Sequence, residues 1–261
     1  MSAVAQITGA WAASALLMAV LWLIQRTRGN AAIVDVAWSF ATASLGAWFA
    51  LSADGYPPRR LIVAAMVAVW GARLGAHLWK RVASEREDGR YRRMREEWGA
   101  KTQRNMLIFF QIQALWAVMF ALPMLAAARN TSAPLGWLDG VGVALWMVSL
   151  SGESIADRQL ARFRANRLNR GRVCRDGLWR YSRHPNYFFE WLHWWAYVCL
   201  AAGSPLWWIT PVGVATMLYF LTKVTGIPPT EAHALRSRGD AYREYQRTTS
   251  AFIPWPSKGQ R

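Results

Sequence analysis

Cysteine is nearly absent from this 261-residue chain. Cys174 lies in a basic loop and Cys199 in an apolar run, so neither a disulfide framework nor a cysteine-based metal site is supported. Acidic residues are also few, 15 against 31 lysines and arginines, for a formal charge of +16. The chain has no GxxxxGK[ST], no HExxH and no GxSxG, which removes the P-loop, zincin and nucleophile-elbow chemistries. Gly140 and Gly142 form a GxG without the third glycine or a preceding strand, so they are not a Rossmann fingerprint. No internal repeat or low-complexity tract occurs, and the linkers are too short for a separate soluble domain. The N-terminus, MSAVAQITGAWAA, lacks a positive n-region and points to a retained helix rather than a cleaved signal.

What is abundant is hydrophobic residues, at 54%, and tryptophan, with 17 copies. Apolar stretches of about 20 residues, the length that crosses a bilayer, fall at 4–24, 32–53, 61–79, 106–127, 135–155, 187–203 and 205–222. The expected fold is therefore an all-α, polytopic membrane protein with seven transmembrane helices and a single domain. Basic residues are distributed unevenly between these spans. Two lie at Arg26 and Arg28, nine in 80–105, nine in 156–186 and seven after 222, whereas the opposite loops hold only Arg59, Arg60 and Arg129. The positive-inside rule then puts the N-terminus outside and the C-terminus in the cytoplasm. A basic balance can signal nucleic acid, but beside these apolar runs it reads as cytoplasmic loops among membrane lipids.

Charged groups within a bilayer are costly and ask for a partner or a role. Asp35 in VDVAWSF, Arg73 and His77 in the third span, Glu153 and Asp157, Glu190 and His193, and Lys223 all fall in the cytoplasmic leaflet. A single cavity opening to the cytoplasm would gather them, and so would interhelical ion pairs. Arg73, His77 and Arg81 recur at i, i+4 and i+8 and share a helix face. Asp35 faces either a salt bridge to Arg73 or a substrate. The mixed-charge segment 85–97 reads as a solvated interfacial helix from whose rim Glu87, Asp88, Arg90 and Tyr91 could reach inward.

The loop Asp157–Arg183 holds nine arginines and no lysine. Topology needs only charge, whereas planar bidentate recognition of phosphate prefers arginine. A phosphate-bearing ligand is favoured, with anionic lipid headgroups as the alternative. It leads into GLWRYSRHPNYFFEWLHWW at 177–195, where polar groups meet the mouth of a tryptophan-rich span. The tail at 231–256 reads as one amphipathic helix ending near Ser250. Tyr242 and Tyr245, one turn apart on it, either stack on a planar ring or form an interfacial pair.

FR at 163–164, GLWRYSRHPNYFFE at 177–190 and RGDAYREYQRTTSAFIPW at 238–255 together resemble the bacterial branch of the membrane steroid 5α-reductase family. VDVAWSF and HLWKR add support in the first half. Sterol reductases and isoprenylcysteine carboxyl methyltransferases are more distantly similar. The resemblance implies a reductase of the bacterial inner membrane that binds NADPH from the cytoplasm and reduces a carbon–carbon double bond conjugated to a ketone in a steroid or similar flat lipid. It implies substrate-side helices at 1–130 and cofactor-binding helices, loop and tail at 150–261. By position, Arg164, Asn169, Arg172, Arg180, Tyr181, Arg183, His184, Asn186 and Glu190 correspond to the cofactor loop, with Arg238, Tyr242 and Tyr245 from the tail and no metal.

Two departures stand out. The family's glycine before the glutamate is Phe189, and the tyrosine that eukaryotic members set against the ketone is Leu78. Polarising the ketone then falls to Asp35, His77, Glu87 or Tyr91. Hydride transfer to the β-carbon of an enone builds charge on the ketone oxygen, so a donor must meet it while a proton reaches the α-carbon. An S-adenosylmethionine-dependent lipid or prenylcysteine methyltransferase and a non-catalytic lipid-binding protein remain as alternatives.

Overall fold

A computed structural model describes residues 2–84 and 89–257. Among these residues every regular element is helical and no strand occurs. Two compact units are present, Met1–Leu135 with Ala201–Ile209, and Gly136–Leu200 with Thr210–Arg261.

The first unit contains α1 (Ala3–Arg28), α2 (Ile33–Ser52), α3 (Pro57–Ser84), the short polar α4 (Gly89–Trp98) and α5 (Thr102–Ala128). Four stretches are long and apolar enough to cross a membrane: α1, α2, Pro57–Lys80 of α3, and Gly89–Ala128, which includes α5. The chain is therefore a membrane protein. α1 packs on α5, and α2 lies between α3 and α5. Small residues allow this close approach, as in other membrane helix pairs. A Cβ added to Gly71 of α3 would overlap that of Ala43 on α2. Met18, Tyr91, Met106 and Phe110 form a buried cluster joining α1, α4 and α5. At the other end, Arg59 is buried and donates to the carbonyls of Asn130 (3.0 Å) and Ser132 (2.8 Å), while Asn130 Nδ2 donates to Ala202 O at 2.7 Å.

The second unit contains α6 (Trp137–Ala165), α7 (Pro185–Leu200), α8 (Ile209–Tyr219), α9 (Ile227–Arg238) and α10 (Asp240–Thr248); Ile209 itself belongs to the first unit. α6 and α7 pack closely because Gly152 leaves its place to the Phe189 ring, which a Cβ there would strike. α7 has 16 residues and α8 has 11, extended by a π-helical turn at Phe220–Val224.

The tail is not the single amphipathic helix expected. It breaks at Gly239, whose φ of 52° lies in the region that L side chains avoid, and resumes as α10. A residue without a Cβ at that point separates two helical turns that composition alone would join.

Candidate functional site

In the second unit the arginine loop and the tail are bound together through one carboxylate. Glu231, near the start of α9, accepts from Arg183 Nε at 2.7 Å, from His184 Nε2 at 3.2 Å and from the Tyr242 hydroxyl at 3.4 Å, all on Oε1. Its Oε2 accepts from Gln246 Nε2 at 2.7 Å. Burial by itself would raise the Glu231 carboxyl, but the hydrogen bonds from His184, Arg183 and Gln246 and the Arg183 charge outweigh it and hold it at about 2. Burial lowers the His184 imidazole, and Glu231 only partly opposes this. The neutral Nε2–H tautomer is therefore the form that donates here.

Arg183 is committed to the same junction. Its Nη1 donates to Gln246 O at 3.0 Å and Thr249 O at 2.6 Å, and its backbone N–H to Ser250 O at 2.8 Å. Two more ties run alongside, Ser182 Oγ to Phe252 O at 2.8 Å and Trp255 N to Tyr181 O at 2.9 Å. Phe252 packs its ring against Phe188 and Trp191, at 5.9 and 5.7 Å between centroids. Tyr242 and Tyr245 are both buried, in an edge-to-face pair 5.8 Å apart. The Tyr245 hydroxyl is directed at the carbonyls of Trp179 and Ser182. Burial raises both phenols, so they act as donors at neutral pH.

The remaining loop residues divide by exposure. Arg172 and Arg180 are exposed and make no ion pair among the described residues; the backbone carbonyl of Arg172 accepts from Arg238 Nε at 2.9 Å. Arg164 and Tyr181 are also exposed. Asn169 Nδ2 donates to Phe163 O at 3.0 Å, turning the chain just after α6. Asn186 Nδ2 donates to Asp157 Oδ1 at 3.2 Å, and Glu190, buried one turn further into α7, accepts from Trp194 Nε1 at 3.3 Å. The His184 and Tyr187 rings stack 5.3 Å apart.

The first unit holds a separate cluster. Asp35 on α2 accepts from Arg90 Nη2 at 2.7 Å and from the Tyr91 hydroxyl at 2.6 Å, both groups coming from α4. The Arg90 guanidinium also lies over the Tyr91 ring, 4.7 Å from its centroid. Asp35 thus pairs with Arg90 rather than Arg73, because α4 folds back over the start of α2. Tyr91 is fully buried, while the Asp35 side chain is 24% exposed. His77 is exposed on α3 and has no hydrogen bond among the described residues. Glu87 and Asp88 lie outside the described residues, as does the side chain of Arg81.

Glu231, Gln246 and Thr249 were not legible as site residues. The available signal is that Arg183 and His184 are adjacent donors needing an acceptor, and that Glu231 lies in the first turns of a helix begun by Pro228 and Pro229.

These features define a helical membrane protein with an arginine-bearing loop closed by its C-terminal helices. A family model, "Protein of unknown function (DUF1295)", matches residues 21–249, and the chain belongs to that family. An uncharacterized protein of Schizosaccharomyces pombe is 27% identical over 90% of this chain and 76% of its own length. The Delta(14)-sterol reductase of Saccharomyces cerevisiae is 32% identical over 43% of this chain and 27% of its own length, so the match spans about a quarter of that enzyme. No solved structure is significantly similar.

Proposed function

We propose that the protein is an NADPH-dependent reductase of an enone in a steroid-like membrane lipid. The observation that carries this reading is the loop Asp157–Arg183, which the Glu231 junction braces while leaving Arg172 and Arg180 exposed without carboxylate partners. This donor set suits a dinucleotide with several phosphates. The similarity to a sterol reductase and the family match support the same reading. The fold would cross the membrane seven times, with the N-terminus outside and the loop and tail in the cytoplasm.

Arg172 and Arg180 would take phosphate oxygens, and Arg164 and Arg238 would add charge beside them. Asn169, Tyr181, Asn186 and Glu190 would supply hydrogen bonds to the neutral parts. Arg183, His184, Tyr242 and Tyr245 would hold the loop in shape, since each already makes hydrogen bonds at the junction of the loop and the tail. The cofactor, when bound, supplies hydride to the β-carbon of the enone.

Of the four candidates for meeting the ketone, the geometry favours Asp35 and Tyr91 acting with Arg90. Arg90 and the Tyr91 hydroxyl are donors, and Asp35 orients both from the other side. Charge developing on the ketone oxygen would draw the Tyr91 hydroxyl's hydrogen bond from Asp35 onto that oxygen, and the enolate so stabilised would take a proton from water at its α-carbon, giving the saturated ketone with Tyr91 unchanged.

The test is direct. Purified protein should bind NADPH, read by quenching of its tryptophan fluorescence, and should reduce a 4-ene-3-ketosteroid. Binding of S-adenosylmethionine with no response to any nicotinamide cofactor would overturn the reading.

A further inference from the structure

The outer face of α6 changes character along its length. Met147, Val148, Ser151, Gly152 and Ile155, with Leu178 and Phe189, line an apolar groove of about 390 Å³. Met147 and Val148 are more than half exposed, so the groove opens at the surface. Arg158 and Arg162 continue the same face three and seven residues beyond Ile155, about 4.5 and 10.5 Å further along the axis. Both are exposed. Arg158 Nε is bonded only to Ser154 O of its own helix, and neither residue has a carboxylate partner among the described residues.

Counting sets the depth. α6 has 29 residues, and about 20 suffice to cross the hydrocarbon core. Measured from the exposed Trp137, an aromatic of the kind found at interfaces, the crossing ends near Ala156. The groove then lies in the hydrocarbon and the two arginines at headgroup level.

We infer that this face of α6 is a binding site for one anionic phospholipid, with an acyl chain in the Phe189 groove and its phosphate on Arg158 and Arg162. The charge order along one helix face is what selects this occupant. An apolar groove alone would accept any hydrocarbon, and two arginines alone any anion. The departure at Phe189 acquires a role here, since its ring, lodged in the space that Gly152 leaves, forms the groove wall. The inference requires α6, which has the length but is not among the four stretches that qualify by hydropathy as well, to cross the bilayer as in the proposed seven-span fold; it does not depend on the reductase activity.

Protein in a mild non-ionic detergent is titrated with phosphatidylglycerol or phosphatidylcholine, and adducts are counted by native mass spectrometry. Phosphatidylglycerol should bind preferentially. Arg158→Gln/Arg162→Gln should weaken it by roughly fivefold per arginine, about 25-fold together, and should weaken phosphatidylcholine, whose choline cation offsets the same phosphate, by much less. Ser151→Trp, which fills the groove, should weaken both lipids; Ile155→Trp replaces it if Ser151→Trp lowers the melting temperature. Equal affinity of the wild type for the two lipids, or full phosphatidylglycerol affinity in the double variant, overturns the site. Binding of inorganic phosphate as tight as that of phosphatidylglycerol also overturns it, by assigning the arginines to a free anion.

Discussion

Arg183 and Glu231 meet at 2.7 Å across 48 residues of sequence, joining the RHPN segment to the first tail helix. Both side chains are largely withdrawn from solvent, at 10% and 15% exposure. Removing one partner from such a pair costs more than the pair contributes, because the other charge is left without compensation. Glu231→Ala should destabilise the protein by about 2–3 kcal/mol. Glu231→Gln, which keeps two polar atoms, should cost less. Thermal unfolding in detergent measures both, and equal midpoints for wild type and Glu231→Ala would refute the role.

The same junction sets a pH dependence. Glu231 stands at about 2 in the folded protein, against roughly 4.3 in an unfolded chain. Its contribution is therefore complete above about pH 4.3 and is lost as pH falls through about 2. His184 is also lower folded than unfolded, so its buried neutral ring stabilises above its unfolded value near 6.5 and progressively less below it. The melting midpoint should be flat above pH 7, decline from about pH 6.5, and fall again below about pH 4. Glu231→Gln should remove the lower step and retain the upper one.

Arg172 and Arg180 carry the proposed phosphate contacts without structural duties. Replacing either by Gln should weaken NADPH about tenfold, the order expected for one charge-assisted hydrogen bond. Stability should stay within about 0.5 kcal/mol of wild type, as for exposed positions. Fluorescence titration beside a melting curve separates the two effects. Unchanged NADPH affinity in the double variant would remove these arginines from the site.

Tyr91 should separate chemistry from binding. Tyr91→Phe keeps the ring in its cluster but loses the hydroxyl held by Asp35 at 2.6 Å. Steroid reduction should drop by about 10²–10⁴, the range for loss of a general acid, while NADPH affinity is retained. Full turnover in this variant would transfer the donor role to Arg90, His77 or Glu87.

Packing offers a control away from both clusters. Gly71→Leu forces bulk into the α2–α3 contact where a Cβ already overlaps Ala43, and should cost about 1–3 kcal/mol or more. Gly140→Ala, with nothing near its Cβ position, should be neutral or slightly stabilising.

Helices are present at every apolar run named from the sequence, because hydrophobic length and helical geometry are local properties. The arginine loop was equally visible, since its composition is local too. What could not be read were the partners. Asp35 lies one turn from Trp38 in the sequence, which points to Arg73 or a substrate as its partner; Arg90 reaches it only because α4 folds back over α2. Tyr242 and Tyr245 were visible as a pair, but only the folded tail shows their hydroxyls directed at Glu231 and the loop carbonyls. Glu231 carried no motif at all. Its importance comes from two residues 47 and 48 positions away.

The tail's hold on the loop also imposes an order in time. Thr249, one of the carbonyls that anchor Arg183, is synthesised 66 residues after it. At about 5–20 residues per second, Arg183 waits roughly 3–13 s for this partner, while α7 and α8 are still being made. The loop 157–183 thus gains this hydrogen bond only after α7 and α8 have been synthesised. A chain cut before Gln246 would lack every one of the tail carbonyls that accept from Arg183.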